Sequence, residues 1–199
     1  MWDAHLSRGK DRPLAITPTE EILSAAREGQ PRALRDIYEF LAPSILAYLA
    51  GKGCDDPEGL TQEVFLTLFG KLGNLTGGVS GLRTFAFSVA HARMVDDVRR
   101  RERQPVLAQF DPQADDRFSS SAEETVLGSA SGVSALLQGL TRRHQEVLLL
   151  RVVADLSIEE TAKIMGISAG AVKQLQGRAL KTLKDRMEHE EVPDHEQIA

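Results

Sequence analysis

Apolar residues recur at intervals of three and four along most of this chain, the period of an α-helix that buries one face. Thr17-Pro18-Thr19-Glu20 reads as a helix start. Either threonine can cap, proline suits a first turn, and acids follow where the helix dipole favours them. Ile22, Leu23 and Ala26 supply the buried face, and Gly29 stops the helix. Leu34, Ile37, Tyr38, Leu41, Ile45, Leu46 and Leu49 predict a second helix from Pro31 to the glycines at 51 and 53. Pro43 should kink it or break it in two. A third helix starts after Asp55-Asp56, with Pro57 in its first turn. Leu60, Val64, Leu68 and Leu72 run through it at spacing four, beside Phe65 and Phe69. The glycine-rich stretch 73–81 reads as a loop. A fourth helix over about 82–103 buries Phe85, Val89, Ala92, Val95 and Val98 and ends strongly basic.

The period then stops. Residues 104–121 hold two prolines, scattered charges and three consecutive serines, the composition of a linker. Beyond it the helical pattern returns. Leu136, Leu137 and Leu140 close one helix, and Thr141 caps another that carries Val147, Leu148, Leu150 and Val153. Ser157-Ile158-Glu159-Glu160 has the form of a capping box. A short helix runs to Met165, Gly166 breaks it, and Ser168 caps the last helix. The pattern contains no strand and no fixed-period repeat. The fold class is therefore all-α. Two small helical domains, 17–104 and 123–187, are joined by a flexible linker at 105–122. A disordered arm, 1–16, precedes them and an acidic tail, 188–199, follows. The linker composition predicts protease-sensitive chain near 111–121.

Segment 157–184 is the most informative. A short helix, a tight turn and a longer helix form the helix-turn-helix layout. Ile158, Ala162 and Met165 face inward, and Ile167 fills the gap between the helices. Val172, Leu175, Ala179 and Leu183 make one narrow apolar stripe. The opposite face holds Gly170, Gln174, Gly177 and Lys181, flanked by Lys173, Arg178 and Lys184. Small and polar side chains there let a helix sit deep in a major groove, with cations placed for phosphates. A helical hairpin with a solvated basic face would show the same pattern. Gly177 counts against the recognition-helix reading, since a mid-helix glycine costs about 1 kcal/mol relative to alanine, unless it serves close approach to another backbone.

Net charge is −5, which alone argues against a polyanionic partner. Its distribution reverses that argument. Arg93, Arg99, Arg100, Arg101 and Arg103 form one basic group, and Lys173, Arg178, Lys181, Lys184 and Arg186 another. Acid gathers at Asp111, Asp115, Asp116, Glu123 and Glu124, and again from Glu188 to the end. The single cysteine, Cys54, excludes an internal disulfide and a cysteine-rich zinc site and fits a reducing cytoplasm. The first sixteen residues carry no signal-peptide pattern, and no apolar run approaches the roughly 20 residues of a membrane span. No nucleophile elbow, phosphate loop, metal-ligand spacing or acid–base carboxylate pair is present. No catalytic residue, metal or cofactor is expected.

The segments 140–151 (LTRRHQEVLLLR) and 156–168 (LSIEETAKIMGIS), then Gly170-Ala-Val-Lys173 and Arg178-Ala-Leu180, resemble region 4 of the extracytoplasmic-function (ECF) sigma factors of the sigma-70 family. Upstream, 60–66 (LTQEVFL), 85–96 (FAFSVAHARMVD) and 98–101 (VRRR) resemble their regions 2.2 to 2.4. The resemblance covers about 19–103 and 123–187. It implies a cytoplasmic, non-catalytic initiation subunit that binds core RNA polymerase, at the β′ clamp and the β flap. Region 2 would recognise and melt the minus-ten element, and region 4 would read the minus-thirty-five element of promoter DNA. Carried over by position, Asp55, Asp56, Glu58, Gln62 and Glu63 become the clamp contact. His91, Arg93, Met94, Asp97, Arg99, Arg100 and Arg101 become the minus-ten set. Ser168, Gly170, Lys173, Gln174, Gly177, Arg178 and Lys181 become the minus-thirty-five set. An anti-sigma protein is an implied partner. Gly59 stands where an acid is usual in the family, and Ala92 where an asparagine is frequent. The phenylalanines at 65, 69, 85 and 87, at helical spacing, are expected in the core. A regulator with a sensory helical domain and the same helix-turn-helix is the rival reading, although it would not need the 85–101 segment.

Overall fold

The computed structural model describes residues 17–103 and 136–190, all helix and turn. Four helices form the first unit: α1 (Glu20–Arg27), α2 (Pro31–Gly51), α3 (Pro57–Lys71) and α4 (Gly78–Arg103), with a 3-10 turn at Leu72–Asn74. The second unit contains α5 (Arg142–Leu148), a π-helical turn (Leu149–Val153), α6 (Ile158–Met165) and α7 (Ala169–Glu190). The expected arm, the linker, the start of the second domain and most of the acidic tail lie outside the described residues.

Caps set most of the boundaries. The Thr19 hydroxyl accepts from Ile22 N, and Asp56 Oδ1 from Gly59 N at 2.8 Å. A Cβ on Gly59 would lie 2.2 Å from Asp56 Oδ2, so a side chain there would require the capping carboxylate to turn. α2 is not broken at Pro43, the stronger of the two outcomes expected there, and Leu41 and Ile45 on either side of it are buried. α4 begins at Gly78 rather than near residue 82. Gly77 and Gly78 both have positive φ, and Glu20 of α1 reaches across to accept from Val79 N at 3.0 Å. That carboxylate satisfies an orphan donor at the helix start, which helical periodicity cannot reveal.

The first core is built on Ile37, Ile45, Tyr48, Leu68 and Phe87, with Phe87 edge-on to Tyr48 at 5.8 Å between centroids. Phe65 is buried too, and Phe69 and Phe85 pack against the cluster, so all four phenylalanines belong to the core. The second core holds Val147, Leu149, Leu150, Val172 and Ala179. The two units do not stand apart, as a flexible tether alone would allow. Leu149 seats on Gly51, where a Cβ would come within 2.9 Å of Leu149 Cδ2, and the buried cluster is continuous from one unit to the other. Polar pairs add to this contact, Arg83 with Asp155 and Lys52 with Glu146 among them, which the apolar pattern of the sequence does not report.

Candidate nucleic-acid interface

The helix-turn-helix is assembled from local bonds. Ser157 Oγ accepts from Glu160 N at 3.1 Å, and Glu160 Oε2 accepts from Ser157 N at 2.7 Å, so both halves of the capping box are made. Gly166 ends α6 in the left-handed region, φ 65°, as a C-terminal glycine does. Ser168 Oγ then accepts from Ala171 N at 3.2 Å to start α7. Val172 and Ala179 are fully buried, and Leu175 and Leu183 pack against the same cluster. The stripe read from the sequence is thus the face that holds α7 down.

The opposite face of α7 is open. Ser168, Gly170, Lys173, Gln174, Gly177, Arg178 and Lys181 are all exposed. A Cβ on Gly177 would meet nothing within 4 Å. Nothing inside the fold requires that glycine. All seven residues expected to meet the upstream element are exposed, Ser168 as the cap and the other six along α7.

In the first unit the two expected sets interlock. Asp56 is engaged as a cap, while Glu58 and Gln62 are exposed on α3. Glu63 pairs with Arg93 at 3.4 Å, and Asp55 with Arg101 at 3.2 Å. The clamp set and the minus-ten set therefore touch at two points. Met94 and Asp97 are not surface residues: they are only 5% and 3% exposed. Asp97 instead anchors the basic run, taking Arg100 at 2.6 Å and Arg101 at 3.1 Å. Burial of an ionised carboxylate is tolerable only with such partners. Arg99 and Arg100 keep exposed positions on the last turns of α4.

His91 sits differently from the expectation. Its Nδ1 lies 2.9 Å from Glu146 Oε1 and 3.1 Å from the Tyr48 hydroxyl, at the contact between the units. Lys52 Nζ adds a second contact to Glu146 at 3.4 Å. Burial pushes the Glu146 carboxyl up, but His91 and Lys52 outweigh it and hold it below its ordinary value. Burial also raises the Tyr48 hydroxyl well above its ordinary value. A cleft of about 630 Å³ opens beside this cluster, floored by Met94, Val95 and Val98 and rimmed by Arg99, Arg101 and Arg142.

Comparison with known proteins decides the family. Residues 136–185 match the family model described as Sigma-70, region 4. SigD, an ECF RNA polymerase sigma factor of Mycobacterium tuberculosis, is 30% identical over 179 residues, covering 84% of this chain and 83% of that protein. The chain belongs to the ECF sigma factors. ShbA of Streptomyces griseus, also an ECF RNA polymerase sigma factor, is 30% identical over 175 residues, 82% of this chain and 92% of its own. The fold agrees with the solved structure of CnrH in complex with the cytosolic domain of CnrY, at a TM-score of 0.56 and 19% identity, covering 85% of this chain and 97% of the matched one. As an ECF sigma factor the protein binds core RNA polymerase and directs promoter-specific initiation. Among the described residues, no helix is long and apolar enough to cross a membrane.

Proposed function

We propose that this sigma factor is a non-catalytic, cytoplasmic initiation subunit that divides its work between two helices. α7 reads the minus-thirty-five duplex through Gln174, Lys173 and the small residues Gly170 and Gly177, with Ser168, Arg178 and Lys181 on phosphates. α4 holds the melted minus-ten strand through Arg93, Arg99 and Arg100. Met94 and Asp97 act beneath that surface, one as packing and the other as the anchor of the arginines. Glu58, Gln62 and Glu63 on α3 meet the β′ clamp. The observation that carries the reading is α7 itself: Gly170, Gln174, Gly177 and Lys181 exposed opposite a stripe committed to the core, with Lys173, Arg178 and the cap Ser168 exposed around them.

An anti-sigma protein is the further partner proposed. CnrH, which shares the fold, was solved in complex with the cytosolic domain of CnrY. Domain limits at about 17–104 and 123–187 complete the reading. Run-off transcription with purified core polymerase on genomic promoter fragments tests it. Specific transcripts that depend on this chain are expected. Core polymerase that neither co-migrates with the chain nor gains a specific transcript would refute the assignment.

A further inference from the structure

The contact between the two units is one-sided in charge. Three carboxylates of the second unit, Glu146, Asp155 and Glu160, supply the acceptors. Ser80 Oγ and Thr84 Oγ1 donate to Glu160 Oε1 at 2.7 and 2.5 Å. Arg83 Nη1 donates to Asp155 Oδ2 at 2.9 Å and to the Asp155 carbonyl at 3.2 Å. His91 and Lys52 hold Glu146, as above. Ser80, Thr84 and His91 follow one side of α4 at spacings of four and seven, with Arg83 beside them, so all three carboxylates land along a single row. From Ser80 to His91 the row is about 16 Å long at the helical rise.

Two hydroxyls, a guanidinium, an imidazole and an ammonium are an unusual lining for a contact between domains, yet they are the groups that meet phosphate oxygens in nucleic-acid complexes. Beyond His91 the cleft beside Glu146 is lined by Arg99 and Arg101 of α4. The row's capacity to hold negative charge is visible in what already occupies it. Burial pushes the Glu160 carboxyl up, but bonds from Thr84, Ser157 and Ser80 bring it down to about 2.

We propose that Ser80, Arg83, Thr84, His91 and Lys52 form a single-strand backbone surface, which the chain's own Glu146, Asp155 and Glu160 cover in the free protein. Opening the two units and gripping the strand are then one exchange, carboxylate for phosphate. The inference rests on the reading of α4 as the strand-holding helix, and adds to it residues near the helix start and a covered state.

The test uses the full chain and a fluorescein-labelled single-stranded DNA of mixed sequence. Affinity is read by anisotropy across salt concentrations and shape by small-angle X-ray scattering. The triple variant Glu146→Gln, Asp155→Asn, Glu160→Gln should be more extended than the parent. It should bind the strand about tenfold tighter, because a closed population lowers apparent affinity by the competent fraction. Adding Arg83→Ala and Thr84→Ala should keep the extended shape, remove the gain and lower the salt slope by about one charge. A control, Glu21→Gln, Glu28→Gln, Glu39→Gln, makes the same charge change away from the contact and should bind like the parent. Should the Glu160 change unfold α6, the pair Glu146→Gln, Asp155→Asn leaves the cap intact and should show the same direction. An expanded variant with no tighter binding, a gain that survives loss of Arg83 and Thr84, or a variant that stays compact each overturns the proposal. Run-off activity of the parent separates the two failures: with transcripts present, only this inference falls.

Discussion

Gln174 and Lys181 occupy the same exposed face of α7, yet their chemistry assigns them different tasks. A side-chain amide can pair bidentately with adenine at a base edge, whereas an ammonium is a point charge suited to phosphate. Lys181→Ala should weaken binding to every duplex and lower the salt slope by about one charge. Gln174→Ala should cost about 1–3 kcal/mol on the preferred site only and relax preference at one base pair. Titration of both variants on matched and mismatched duplexes separates the roles. Uniform losses for Gln174→Ala would remove it as a reader. Other single residues took their meaning only from the fold. Asp97 looked like a member of the DNA set because of its place in the motif, but its burial makes it the partner of Arg100 and Arg101. Gly59 looked like a departure from the family, and its backbone N–H is the donor that Asp56 takes to cap α3. His91 has a partner 55 residues away in Glu146, a pairing that no local pattern encodes.

At the scale of the helix, local rules were enough wherever the deciding bonds were local. The Ser157–Glu160 box, the Gly166 stop, the Ser168 start and the α7 stripe were all readable, because each depends on residues three or four apart. The start of α4 was misplaced because its cap comes from Glu20, on another helix. The π-helical turn at Leu149–Val153 was not foreseen either, since its apolar run suits a plain helix equally well. α7 also carries a glycine that costs it stability without any packing return, since the space above Gly177 is open. Gly177→Ala should therefore raise the stability of the second unit by about 1 kcal/mol. It should also weaken binding to the upstream duplex, where the added methyl meets the groove. Urea melts together with duplex titration check both signs. Greater stability with unchanged affinity would mean that close approach to DNA is not what keeps this glycine small.

The whole molecule has an acid dependence that follows from the contact between its units. Glu160 is the clearest contributor. Burial raises its carboxyl, but Thr84, Ser157 and Ser80 together bring it from 4.5 to about 2. Glu146 is lowered as well, by His91 and Lys52 against the push of burial. A carboxyl depressed in the folded state contributes stability that is complete above its ordinary value and is lost as pH falls through the folded one. Protonation also removes the charge that the donors of α4 hold, so the same acid that destabilises the chain should part the two units. Melting temperature should consequently drop between about pH 4.5 and about pH 2 by more than general charging of the surface explains. Glu160→Gln cannot titrate, and it keeps an oxygen that accepts from Ser80 and Thr84. Its melting temperature should lie below the parent's at neutral pH, and the gap should close on acidification across that window. Scattering at the same pH values should show the parent expanding as the gap closes. Parallel melting curves down to about pH 2 would mean that the donors of α4 do not hold Glu160 charged, and would leave the contact to Asp155, Glu146 and the apolar seat of Leu149 on Gly51.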